Sequence, residues 1–92
     1  MKKAATKAEK LHLSRIVEGG CILPDCTAPA EVHHPREFVG LAQREEHWLA
    51  IPLCPEHHRG TFSIHGSKLQ FENICGKEIK LIAETIRRTY GN

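Results

Sequence analysis

The chain has 92 residues and a net charge of +2, which suits one small domain and is too weakly basic to indicate nucleic-acid binding by charge alone. Its N-terminus, MKKAATKAEKLHLSR, lacks the apolar core of a signal peptide, and no stretch is long enough to span a membrane. We therefore expect a cytoplasmic protein with no membrane partner. Because intracellular thiols stay reduced, four cysteines and seven histidines favour metal binding over disulfides.

The N-terminal half predicts one helix, a turn and a short strand. Apolar residues recur at helical spacing over residues 4–18, and a glycine pair ends the pattern. His12 is expected on the surface of this helix. The segment CILPDC, residues 21–26, is typical of a metal-binding knuckle, and EVHH, residues 31–34, predicts a strand that Pro35 ends.

The C-terminal half predicts a buried strand and three helices. HWLAIPL, residues 47–53, predicts the strand and favours a core position for Trp48 over its alternative, a platform for stacking DNA bases. Pro55 suits the first turn of a helix that runs to about residue 60, and a second helix is expected over 68–75. The third, over 77–90, is amphipathic. The apolar residues expected to share its buried face are Ile79, Ile82, Ala83 and Ile86.

Together these elements predict a single α+β domain over residues 1–92. Its parts would be an N-terminal helix (1–19), a core with the knuckles (20–60), and a loop with C-terminal helices (61–92). The chain shows no repeat and no linker long enough to divide it.

Two short-spaced pairs of ligand-type residues predict a structural zinc site. Cys21 and Cys26 form C-x4-C, and Cys54 and His57 form C-x2-H at the start of a helix. A tetrahedral zinc is commonly held by two such pairs, one from each of two local turns. The alternative is that one or two of these cysteines are ordinary buried residues, as we expect for Cys75.

This assignment leaves three neighbouring histidines unused: His33, His34 and His58. Adjacent residues on a strand point to opposite faces, and adjacent residues on a helix lie about 100° apart. His58 can therefore face a second metal site, shared with a strand histidine, while another histidine acts as a base. Such an arrangement suits phosphodiester hydrolysis, in which a cation stabilises the leaving oxygen and a neutral imidazole activates water.

The chain resembles an HNH endonuclease of the ββα-metal class, and more narrowly the Ref-like phage recombination nucleases, which are described as RecA-dependent. The matching segments are CILPDC, AEVHHPRE, HWLAIPLCPEHHRG and SIHGSKLQFE, over roughly residues 20–73. The resemblance implies a zinc-stapled ββα-metal finger with flanking N- and C-terminal helices.

The resemblance also implies residue roles. His34 matches the general base, and His33 and His58 match the ligands of the catalytic metal, although adjacency leaves the roles of His33 and His34 exchangeable. The zinc ligands it implies are Cys21, Cys26, Cys54 and His57. The asparagine at the middle of the class motif, which orients the base, is absent, and His47, which stands closest to that position, is the candidate to replace it. The implied cofactors are a structural Zn²⁺ and a catalytic Mg²⁺ or Mn²⁺, with Zn²⁺ as an alternative.

Four residues are candidates for contact with DNA: Arg36, Arg59, His65 and Lys68. The arginines suit phosphate binding, and the alternative for them is an ion pair with a nearby glutamate. For His65 the functional role is a phosphate contact or an extra metal ligand, and the alternative is an ordinary histidine on a surface loop.

The leading hypothesis is a metal-dependent DNA endonuclease that is largely independent of sequence, because no base-reading element is evident. The resemblance implies a phage or prophage origin and a RecA-type recombinase filament as a partner. The competing hypothesis is a non-catalytic zinc-stapled module that binds DNA or protein. A third is a pair of zinc sites that serve structure only.

Overall fold

The elements of the fold follow the predicted order along the chain. The computed structural model describes residues 4–35, 47–61 and 63–91. The described helices and strands are α1 (Lys7–Glu18), β1 (Glu31–His33), β2 (Ile51–Leu53), α2 (Pro55–Arg59), α3 (Lys68–Cys75) and α4 (Glu78–Tyr90), and a 3₁₀ turn (His47–Leu49) precedes β2. In these parts the chain is a small α+β protein with four α-helices and a two-stranded antiparallel sheet, so the expectation of an α+β protein is confirmed.

Helix α1 begins with a capping box. Thr6 Oγ1 accepts a hydrogen bond from Glu9 N at 3.1 Å, and Glu9 Oε1 accepts one from Thr6 N at 2.8 Å. These two bonds satisfy backbone N–H groups that a helix start leaves unpaired. The helix therefore begins at Lys7, three residues later than predicted.

A side chain from α4 holds the C-terminal end of α1. Arg88 Nη2 donates hydrogen bonds to Ile16 O at 3.0 Å and Gly20 O at 2.8 Å, and its Nη1 donates to Cys21 O at 3.2 Å. The last carbonyls of a helix have no partner within the helix. Arg88 supplies one and also ties α4 to the first cysteine of the knuckle.

The two strands form an antiparallel hairpin in which His33 lies opposite Ile51. Both strands are shorter than predicted. β1 ends at His33, which leaves His34 outside it, and residues 47–49 form the 3₁₀ turn instead of strand. The hairpin brings β1 beside the segment that leads directly into α2.

The buried face of α4 differs from the prediction. Ile79 is 55% exposed, Ile86 is 36% exposed and Ala83 is also exposed, whereas all three were expected in the core. The residues of α4 that are buried are Glu78, Leu81, Ile82 and Thr85. They follow the same i, i+3, i+4, i+7 spacing as the predicted set but begin one position earlier. The predicted stripe was displaced because the buried stripe begins at Glu78, a charged residue that a search for apolar residues passes over.

Two aromatic residues also differ from expectation. His12 is buried instead of exposed, and Trp48 is 44% exposed instead of buried. The His12 ring stacks on Tyr90 with centroids 5.6 Å apart, contacts Trp48 at 4.8 Å, and its Nδ1 lies 2.6 Å from Tyr90 Oη. Desolvation lowers the pKa of His12. His12 therefore lies at the centre of a small aromatic group with Trp48 and Tyr90. The residues beside His12 in the sequence do not indicate this group.

A single apolar cluster lies between the hairpin, the knuckle and helices α3 and α4. Its buried members are Cys21, Leu23, Ile51, Leu53, Cys54, Ile64, Phe71, Leu81 and Ile82. Two of the predicted zinc ligands, Cys21 and Cys54, thus belong to the core. None of the helices in the described ranges has the length and apolar character needed to cross a bilayer.

Candidate metal sites

The four predicted zinc ligands come together in one cluster, here called the cysteine cluster: Cys21, Cys26, Cys54 and His57. One ligand atom from each lies within 4.8 Å of the others. A tetrahedral zinc with Zn–S bonds of about 2.3 Å places its sulfurs about 3.8 Å apart. Cys26 Sγ and Cys54 Sγ are 3.8 Å apart, and His57 Nδ1 is 3.2 Å from Cys54 Sγ and 3.7 Å from Cys21 Sγ. The cluster could therefore hold a metal such as zinc.

Backbone hydrogen bonds shape the knuckle that carries the first two ligands. Cys26 N donates to Leu23 O at 3.2 Å, and Cys21 N donates to Ala28 O at 3.1 Å. Between the cysteines Asp25 has a φ of 63°, a left-handed conformation that Asp tolerates in turns. The local turn therefore points both sulfurs toward the start of α2, where Cys54 is the N-cap.

The thiols of the knuckle differ in acidity. Burial raises the pKa of Cys21 to about 11, while a backbone hydrogen bond at Ala28 lowers the pKa of Cys26. A divalent cation favours the thiolate form of its ligands. Cys75 lies outside the cluster and is partly buried against the core, in agreement with its predicted role.

A second cluster consists of His33, His58 and His65, here called the histidine cluster. One nitrogen from each residue lies within 4.8 Å of the others. His58 Nε2 and His65 Nε2 are 3.1 Å apart, close to the separation of about 3.0–3.4 Å expected of two nitrogens on one metal. The His33 ring centroid is 5.1 Å from that of His58 and 5.0 Å from that of His65. The three imidazoles could hold a second metal ion.

The structure brings His65 into a set that the sequence had predicted only in part. His33 and His58 were expected to share a site, whereas His65 was assigned to DNA contact with a metal role as one option. The loop after α2 folds back along that helix, because Ile64 N donates to His57 O at 2.9 Å and His65 N donates to His58 O at 3.2 Å. This backbone pairing places His65 over His58.

Carboxylates contact two members of the histidine cluster. Glu31 Oε2 lies 2.6 Å from His58 Nδ1, and Glu78 Oε2 lies 2.6 Å from His33 Nε2. A ligating histidine commonly donates its other ring N–H to a carboxylate, which fixes the tautomer and the ring orientation. Sequence reasoning missed both glutamates as site residues. Glu31 sits two positions before His33 on β1, a spacing that could have indicated it, whereas Glu78 is brought in by α4 alone.

Electrostatics favour the ionised form of both carboxylates. Hydrogen bonds from Arg59, and then from His58, lower the pKa of Glu31 to about 2. Burial acts to raise the pKa of Glu78, but the His33 hydrogen bond and nearby cationic groups hold it below its ordinary value. Each carboxylate can therefore accept a hydrogen bond from the histidine that it contacts.

One buried nitrogen of His33 is a candidate metal ligand. His33 is 2% exposed, and its Nδ1 makes no hydrogen bond within the described residues. If Nε2–H donates to the carboxylate of Glu78, a neutral ring carries its lone pair on Nδ1. A buried lone pair with no donor is costly, and a bound cation would satisfy it.

The predicted base and its partner form a separate pair. His34 Nε2 and His47 Nδ1 are 3.0 Å apart, with ring centroids 5.0 Å apart. His47 comes from the 3₁₀ turn before β2, so the hairpin places it against the end of β1. This contact suits the prediction that His47 takes the middle position of the motif and orients His34.

The predicted DNA contacts have different surroundings. Arg36 lies outside the described residues. Arg59 pairs with Glu31, with Nε 2.8 Å from Oε2 and Nη2 3.2 Å from Oε1, which is the ion-pair alternative considered above. Lys68 is half-exposed, and its Nζ lies 3.8 Å from Glu78 Oε1.

A cavity of about 250 Å³ adjoins the histidine cluster. It is lined by His33, Ile64, His65, Lys68 and Glu78. Two of these residues belong to the cluster and a third is a lysine, so the cavity connects a candidate metal position with a cation suited to phosphate.

No family model, curated protein or solved structure matches this chain. The case for its function therefore rests on the chemistry of the two clusters and of the His34–His47 pair.

Proposed function

We propose that the protein is a metal-dependent DNA endonuclease of the HNH, ββα-metal type that hydrolyses phosphodiester bonds with little sequence preference. The observation that carries this proposal is the histidine cluster, a second metal-ligand set distinct from the cysteine cluster. The antiparallel hairpin followed by α2 supports the ββα-metal assignment, since β1 and α2 supply His33 and His58. The cysteine cluster would hold a structural zinc.

In this mechanism His34 is the general base. His47 Nδ1 lies within hydrogen-bonding distance of His34 Nε2 and would orient the ring so that its other nitrogen accepts a proton from the attacking water. Lys68, at the rim of the cavity, would contact a phosphate oxygen of the substrate. A bound cation would stabilise charge on the phosphate and on the departing oxygen.

The donor set favours some cations over others. Three imidazoles suit zinc better than magnesium or manganese, both of which favour oxygen ligands. Of the metals implied by the resemblance, we therefore propose Zn²⁺ at the histidine cluster. A recombinase-coated DNA strand is the proposed context, since the chain would then obtain its specificity from a partner.

The test is nicking of supercoiled plasmid DNA with added Mn²⁺ or Zn²⁺. Wild-type protein should convert the plasmid to open circles, and His34→Ala should slow this conversion about 10²- to 10⁴-fold. The zinc content and the melting temperature of the variant, measured as controls, should match those of the wild type. Full activity in His34→Ala would contradict the assignment of the base.

A second candidate is a non-catalytic module with two structural metals. The burial of His33, at 2% exposure, favours it, because structural ligands are typically closed to solvent. It predicts two tightly bound zinc ions and no nicking under any metal condition. DNA retardation without cleavage by the wild-type protein would select this candidate.

A further inference from the structure

Glu78 is a buried carboxylate that comes from outside the hairpin and α2. It is the first residue of α4 and is 2% exposed. Removing a carboxylate from water is expensive, and a buried ion pair often contributes little net stability. The position of Glu78 therefore points to a role other than stability.

The contact between Glu78 and His33 determines which nitrogen of His33 is available. At 2.6 Å, His33 Nε2–H donates to Glu78 Oε2, because an ionised carboxylate only accepts. In a neutral ring this contact holds the proton on Nε2 and leaves the lone pair on Nδ1, an atom with no hydrogen bond in the described part of the chain. Glu78 thus prepares one nitrogen of His33 as a ligand.

A second carboxylate, that of Glu31, contacts His58. Glu31 lies 2.6 Å from His58 Nδ1, which leaves His58 Nε2 on the side of His65. Glu31 also accepts two hydrogen bonds from Arg59 and is partly exposed. Glu78 is more deeply buried, so the orientation of His33 depends on it more directly.

We propose that Glu78 is the positioning residue that orients His33 and fixes its tautomer for metal binding at the histidine cluster. This inference rests on the proposed metal site and extends that site to α4. The C-terminal helix is then part of the metal centre and not only part of the scaffold.

The test compares the two zinc affinities of Glu78→Gln with those of the wild type, by competition with a chelator. Glutamine keeps the shape of the side chain and removes its charge. The second zinc equivalent should bind about 10- to 100-fold more weakly, while the first equivalent, in the cysteine cluster, should keep its affinity. The matched control is Glu72→Gln on α3, which should change neither affinity. An unchanged second affinity in Glu78→Gln overturns the proposal.

A measurement on the wild-type protein covers the case in which Glu78→Gln fails to fold. The protein is loaded with ¹¹³Cd, and the histidine ring nitrogens are observed by ¹⁵N NMR. Coupling of cadmium to His33 Nδ1, with a proton retained on Nε2, is the expected result. Coupling to His33 Nε2, or no second cadmium, overturns the proposal.

These outcomes separate the inference from the proposed nuclease. If zinc and cadmium behave as expected but plasmid DNA stays intact, the nuclease proposal fails and the role of Glu78 stands. If the wild type nicks DNA but Glu78→Gln keeps its second zinc affinity, only the role of Glu78 fails.

Discussion

Both clusters take a histidine from helix α2, but they differ in the number of ligands that they offer. The cysteine cluster offers four ligands, which satisfies the tetrahedral coordination of a structural zinc. The histidine cluster offers three, next to a cavity of about 250 Å³, and three protein ligands with an open position are typical of catalytic metal sites. His57 and His58 are adjacent on α2 yet belong to different clusters. The number of ligands in each cluster, and not the position of a histidine in the sequence, therefore distinguishes the proposed structural site from the proposed catalytic site.

The largest expected effect comes from removing a ligand of the cysteine cluster. Cys54→Ser should lose the zinc and unfold the domain, because metal binding supplies much of the folding free energy of small zinc modules. Zinc content and thermal melting by circular dichroism measure this. Cys75→Ser, which lies outside the cluster, should melt close to the wild type. A cooperative melt of metal-free Cys54→Ser would show that the cluster is not needed for folding.

Substitution of the two adjacent histidines on α2 should separate the clusters most directly. His57→Ala should lower the melting temperature and release zinc. His58→Ala should keep the first zinc and the cooperative melt but lose the second metal and plasmid nicking. If the two variants lose the same metal and melt alike, the two-cluster description is wrong.

The loop histidine distinguishes metal binding from DNA binding. His65→Ala should weaken the second zinc equivalent about 10- to 100-fold when no DNA is present. Lys68→Ala is the companion variant, which should leave both zinc affinities unchanged and weaken DNA binding. If His65→Ala affects only DNA binding, His65 is a phosphate contact and the histidine cluster has two ligands.

The smallest expected effect concerns Arg59, whose partner Glu31 contacts the histidine cluster. Arg59→Gln should lower the free energy of unfolding only slightly, since exposed ion pairs contribute little. Arg87→Gln on α4 is the control. A large loss of DNA affinity in Arg59→Gln would instead support its predicted phosphate contact.

The same variant has an expected pH dependence. The pKa of Glu31 is about 2, below its ordinary value of 4.5, so its stabilising contribution is complete above pH 4.5 and lost as the pH falls toward 2. Without Arg59 the pKa of Glu31 should rise toward its ordinary value. Between pH 4.5 and pH 2 the stability of Arg59→Gln in acid melts should therefore fall less than that of the wild type, because less difference remains between the folded and unfolded pKa of Glu31.

Sequence reasoning predicted the features that depend on short spacing. The knuckle, the helix start at Pro55 and the helix predicted over residues 68–75, which is α3, follow from local turn and helix patterns. The division between His57 and His58 follows from the rotation of about 100° per helical residue. Each of these depends on contacts between residues close in the chain.

The features that were missed depend on contacts between distant segments. Glu78 lies 45 positions from His33, and no local pattern indicates that pairing. The buried face of α4 was misassigned because Ile79 and Ile86 fit a helical stripe as well as Leu81 does, and only packing distinguishes them. His12 was missed for the same reason, since the rings that cover it come from other elements.

The contact of Arg88 with three backbone carbonyls has a consequence for the order of synthesis. A nascent chain that has not yet extended to residue 88 leaves the carbonyls of Ile16, Gly20 and Cys21 without this partner. A shorter one, ending before α4, also lacks Glu78. The Arg88 hydrogen bonds at the knuckle and the Glu78 contact of His33 can therefore form only after α4 has left the ribosome, which would delay the proposed cleavage activity until then.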